Sequence, residues 1–119
     1  MRVAIPVDSN HEETTICVSF GRAPFYAIYE TDTGAYAFVE NTAANSPGGA
    51  GVKAAQLVVD QKSDILITPR CGENAVEVIH GAGIQIYQTK SNHLKDNVKA
   101  YVNGELNALD HFHKGLHHA

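Results

Sequence analysis

Residues 64–90, DILITPRCGENAVEVIHGAGIQIYQTK, read as a strand, a helix and a strand in immediate succession. The apolar run at 65–67 suits a strand buried on both faces, and Pro69 ends it by removing a ladder donor. ENAVEVIHGAG then puts Ala75, Val76 and Ile79 on one helical face, with Gly81 or Gly83 as the stop. IQIYQT alternates as a strand should. A strand–helix–strand unit can close only as a parallel pair with a right-handed crossover. The remaining elements must pack around that parallel nucleus.

RVAIPVD supplies another short, nearly continuous apolar strand. FYAIYE and AYAFV, separated by the turn TDTG, predict a hairpin over 25–30 and 35–39. The polar, small-residue loop NTAANSPGGAG feeds the helix VKAAQLVVDQKS, whose apolar face holds Ala54, Ala55 and Val58 with Leu57 beside it. The last helix lies in SNHLKDNVKAYVNGEL, with Ser91 or Asn92 as cap and Gly104 as stop; Leu94, Val98, Tyr101 and Val102 recur at helical spacing. The order is β-β-β-α-β-α-β-α, an α/β chain with a mixed five-stranded sheet flanked by helices. With 119 residues, 44% of them hydrophobic, it makes one domain. The hairpin falls on one side of the first strand and strands four and five on the other. Such a reversal of winding leaves a crevice at the carboxyl ends of the parallel strands, where ligands bind.

A formal charge of −4 gives no global positive field for nucleic acid or an acidic membrane surface. No signal-peptide pattern opens the chain and no run of about 20 apolar residues occurs, so the expected location is cytoplasmic. Cys17 and Cys71 fit neither a disulfide scaffold nor a paired CxxC site. SPGGAGVKAA lacks the Gly-Lys-Ser/Thr of a P-loop, and GAGIQI runs from helix into strand, the reverse of a dinucleotide fingerprint.

Four segments converge on the crevice: Asp8, SFGRAP, SPGGAG and TPRCG. Two of them open helices, whose unpaired N–H groups and positive dipole ends attract anions. Gly48, Gly49, Ala50 and Gly51 let a ligand approach the backbone, and Arg22 and Arg70 add positive charge. Cys71, at a helix start beside Arg70, is expected to have a lowered thiol pKa, as a nucleophile or a soft-metal ligand. The alternative is a small residue buried in a turn. Cys17 is expected to pack, with soft-metal ligation as the alternative. His11 follows the first strand and is a second candidate metal ligand; His93 reads as surface and His80 as a partner of a helix dipole. His111, His113, His117 and His118 crowd the end of the chain, as a divalent-ion chelate or a solvated tail.

FGRAPFYAIYE, the long segment GGAGVKAAQLVVDQKSDILITPRCGENAVEVIHGAGIQIYQ and the terminal NGEL together resemble the dinitrogenase iron–molybdenum cofactor biosynthesis family, which includes NifX, NafY and the NifB C-terminal domain. The resemblance covers residues 1–106, leaving a His-rich tail at 107–119. It implies a ribonuclease H-like fold and the binding of the iron–molybdenum cofactor or its iron–sulfur precursor. A small family member, the orange protein, holds a molybdenum–copper sulfide cluster without covalent attachment. The resemblance maps a cofactor site onto Ser19, Phe20, Gly21 and Arg22, onto Gly48, Gly49, Ala50 and Gly51, and onto Arg70, Cys71, Gly72, Asn74 and Ala75. Two positions depart from the common pattern: Glu73 stands where many relatives have Pro, and Ser19 where they often have His.

The expected function is a non-enzymatic carrier of an anionic metal–sulfur cluster, with Phe20 and Pro24 as an apolar wall and other cluster-assembly proteins as partners. A thiol-dependent enzyme using Cys71 is one alternative; a regulatory module partnered with a P-loop ATPase is another. A two-metal nuclease is disfavoured because Asp8 is the only acid expected at the strand ends.

Overall fold

The computed structural model describes residues 1–109. Its elements are β1 (Arg2–Val7), β2 (Phe25–Glu30), β3 (Ala35–Glu40), a single 3₁₀ turn (Thr42–Asn45), α1 (Ala50–Asp60), β4 (Ile65–Thr68), α2 (Glu73–Gly81), β5 (Gln85–Gln88) and α3 (Leu94–Val102). The sheet runs β3-β2-β1-β4-β5, antiparallel through the hairpin and parallel across β1, β4 and β5. This is the expected mixed α/β sheet, with its reversal of winding between β1 and β4.

β1 is buried from Val3 to Val7 because each sheet face is covered. Ala4 packs with Ala54, Val58 and Ile79 of α1 and α2, whereas Val3, Ile5 and Val7 pack with Ile16, Leu94 and Val98. β2 pairs along the whole of β1, but β4 meets it only at Val3 and Ala4. Pro6 has no N–H to extend that ladder. Instead its carbonyl accepts the Cys17 N–H at 3.0 Å, and Val7 bridges Ile16. Ile16 and Cys17 thus take the edge of β1 that β4 leaves, and the two parallel strands part at their carboxyl ends. That parting opens the crevice.

Gly83, with φ +78°, ends α2 as expected, and Gly104, with φ +73°, follows α3. The start of α3 differs from expectation. His93 occupies the cap position without a side-chain bond, and neither Ser91 nor Asn92 stands there. Asn97, fully buried in the second turn, reaches back instead: its Oδ1 accepts from the N–H of Lys90 and Ser91, and its Nδ2 donates to the carbonyls of Ser91 and His93. A side chain inside the helix therefore ties down the loop that enters it, while the Thr14 carbonyl accepts from the first helical N–H, that of Leu94. Val102, expected on the apolar face, is 59% exposed.

The chain stays with the sheet beyond 106. Asn107 and Leu109 exchange backbone bonds with Gln88 and Ile86, Ala108 bridges Tyr87, and the Leu109 side chain is buried in the α1–α2 core. His111, His113, His117 and His118 lie outside the described residues. Among the described residues no helix is long and apolar enough to cross a membrane.

Candidate functional site

The parted strands leave a cavity of about 530 Å³, lined by residues 18–22, 49–52 and 70–75. Ser19, Phe20, Gly21, Arg22, Gly49, Ala50, Gly51, Arg70, Cys71, Gly72 and Asn74 all reach it; Gly48 does not. Asp8 and His11 do not line it either. The Asp8 carboxylate accepts from the Thr15 hydroxyl, so it serves the loop after β1, and His11 is an exposed residue of that loop. Pro24 also stays outside: its carbonyl binds the Asn41 N–H. Val18, Val52 and Glu73 join the lining without having been singled out as ligand contacts.

Helix starts dominate the walls. α1 is capped by Gly49, at φ +69°, and α2 by Gly72, at φ −69°. Neither cap has a side chain to accept from the first-turn N–H groups, so both positive helix ends are left open toward one cavity. Arg22 is anchored beside them: its Nη1 donates to the carbonyls of Ala44 and Ser46 at 2.9 and 3.0 Å. Arg70 is exposed at the opposite wall, its carbonyl accepting the hydroxyl of buried Thr68 at 2.8 Å.

One residue that sequence reasoning missed builds this wall. Asn41 is 3% exposed; its Nδ2 donates to the carbonyls of Gly21 and Ala23, and its Oδ1 accepts from Ala43. It ties the 18–24 loop to the turn after β3. An Asn directly after a strand is a turn signal, but its distant partners are set by the fold. Gly21 in turn lies so close to α1 that an added Cβ would sit 2.8 Å from the Gly51 nitrogen. Its lack of a side chain serves packing between two backbones.

Phe20 is a floor rather than an open wall. It is 5% exposed, its ring edge-on to Tyr26 at 5.7 Å, and its carbonyl accepts the Tyr26 hydroxyl. Cys71 packs in the same core, 1% exposed. Here the expectation of an activated thiol fails: burial pushes the Cys71 pKa up to about 12. Native protein treated with iodoacetamide at pH 8 should therefore leave Cys71 unmodified for as long as it stays folded, since about one thiol in ten thousand is ionised. Peptide mapping that finds rapid Cys71 labelling would contradict this. The sign for stability follows. The unfolded thiol ionises near 9 and the folded one near 12, so stability from the buried neutral thiol is complete below pH 9 and is lost between 9 and 12.

Among the described residues no group of three His, Cys, Asp or Glu could hold a bare metal ion. The lining instead brings two helix starts together with Arg22 and Arg70, a set suited to an anion. Fold and cavity together give an α/β protein with a crevice at the switch point of its sheet, walled by the starts of two helices. The chain belongs to the family described as dinitrogenase iron-molybdenum cofactor, whose model matches residues 1–104. An uncharacterised protein of Methanocaldococcus jannaschii is 26% identical over 113 residues, 92% of each chain. Among solved structures, the apo orange protein of Desulfovibrio gigas superposes with a TM-score of 0.86 at 24% identity, over 91% of this chain and 92% of that one. A Thermotoga protein of the DUF35 family, described as a candidate NifB protein, gives 0.82 at 31% identity, over 97% and 98%.

Proposed function

We propose that the chain binds an anionic metal–sulfur cluster, of the molybdenum–copper sulfide or iron–molybdenum cofactor type, and carries it intact between assembly proteins. The observation that supports this most is the pair of glycine-capped helix starts opening on one cavity. A sulfide-surfaced polyanion brings its own metal ligands, so it needs N–H donors and positive charge from the protein rather than a ligand set. Ser19, Arg22, Arg70, Gly72 and Asn74 would face such a cargo, with Cys71 as a neutral lining thiol that ligates only on losing its proton to a soft metal. Membership in a cofactor-related family agrees with this reading. A thiol enzyme is disfavoured by the burial of Cys71. A P-loop ATPase partner finds no support in the fold or the relatives.

Protein purified without oxygen and mixed with tetrathiomolybdate and Cu(I), or with an iron–sulfur precursor, should acquire a stoichiometric charge-transfer band and co-elute with metal. Cys71→Ser should keep most of that band. No band with any of these cargoes would sink the proposal.

A further inference from the structure

The cavity holds a group that opposes its own chemistry. Glu73 occupies the first position of α2, exposed, next to the side-chain-free cap Gly72, and it lines the cavity. A carboxylate in a first turn is favoured by the positive helix end. It therefore competes for the field and the N–H groups that an incoming anion must use, and it meets that anion with a like charge.

We infer that Glu73 is a specificity residue: it keeps compact, strongly hydrated oxyanions such as phosphate and sulfate out of the cavity while admitting a larger, sulfide-surfaced anion. This rests on the anion-site reading given above. A compact oxyanion surrenders much hydration and must regain it through short charge-assisted bonds to first-turn N–H groups, the donors that the carboxylate contests. A sulfide-surfaced anion spreads its charge over a larger radius and depends less on those bonds. It also gains contact with an apolar rim, where Val18 and Val52 are 67% and 42% exposed. Without Glu73, two open helix starts with Arg22 and Arg70 nearby would form a general trap for phosphate and sulfate. Selectivity here comes from an element that repels the wrong ligand.

The experiment is calorimetric titration of wild type, Glu73→Gln and Glu73→Asp with inorganic phosphate, sulfate and tetrathiomolybdate at one fixed, low ionic strength, with circular dichroism as the check on folding. Glu73→Gln should bind phosphate and sulfate about tenfold more tightly or better, but tetrathiomolybdate only about threefold more tightly or less. Glu73→Asp, which keeps the charge, should exclude the oxyanions as wild type does. Equal gains for all three anions, or no gain for phosphate and sulfate, would overturn the inference. If no form binds tetrathiomolybdate while Glu73→Gln captures phosphate, oxyanion exclusion stands and the cluster reading is what fails.

Discussion

Gly21→Ala is expected to lower the unfolding free energy by about 1–3 kcal/mol, read from the midpoint of urea denaturation at unchanged slope. Its methyl group would lie 2.8 Å from the Gly51 nitrogen, 3.0 Å from the Gly51 Cα and 3.1 Å from the Ala50 carbonyl carbon. All three are backbone atoms at the start of α1, so no side chain can turn aside. The loop cannot retreat either. The Gly21 carbonyl is held by Asn41, and the next residue by the two carbonyls that Arg22 binds. Gly51→Ala is the control. There a new Cβ would meet only the Ala75 methyl at 3.9 Å, and alanine favours a helix over glycine by about 1 kcal/mol. That variant should be as stable as wild type or more so. Equal stability of Gly21→Ala and wild type would show that the two loops are not joined as described.

Gly21 also shows what the sequence could and could not reveal. The strand and helix order was legible because each element carries its own period and stop, and the sheet order followed from the handedness of the crossovers. The crevice was legible for the same reason, since topology alone puts the switch point between β1 and β4. Roles inside the crevice were not. FGR and GGAG both read as places for a ligand to approach, yet Gly21 is consumed by contact with Gly51 while Gly49 and Gly72 leave helix ends open. Local neighbours of Cys71 pointed to an activated thiol; burial among Phe20, Tyr26 and Ala75 sends its pKa the other way, and burial is a property of the whole fold. Asn41 and Asn97 were overlooked because their partners sit up to 20 residues away, or because a mid-helix Asn carries no capping signal.

Gly72→Asp should separate stability from binding, raising the first and lowering the second. Gly72 has φ −69° and ψ 154°, a conformation open to any residue, and no described atom lies within 4 Å of where a Cβ would stand. An aspartate in that position is a preferred cap: its carboxylate accepts from first-turn N–H groups and complements the helix dipole. Replacing glycine also restricts the unfolded chain. Together these should raise stability by about 0.5–1 kcal/mol, seen as a higher urea midpoint. The same carboxylate would occupy the α2 donors facing the cavity and add a negative charge beside Glu73. Affinity for tetrathiomolybdate should fall about tenfold, because a cap that accepts directly from the α2 donors removes what Glu73 only contests and adds one repulsive charge. Gly72→Ala supplies the comparison, because it brings the backbone restriction without the acceptor and should bind within a few-fold of wild type. Gly49 offers no such choice, since its φ of +69° strains any substitute. If Gly72→Asp proves more stable and binds as tightly as wild type, the α2 start is not part of the anion site, and the cavity's attraction must come from α1 and the arginines.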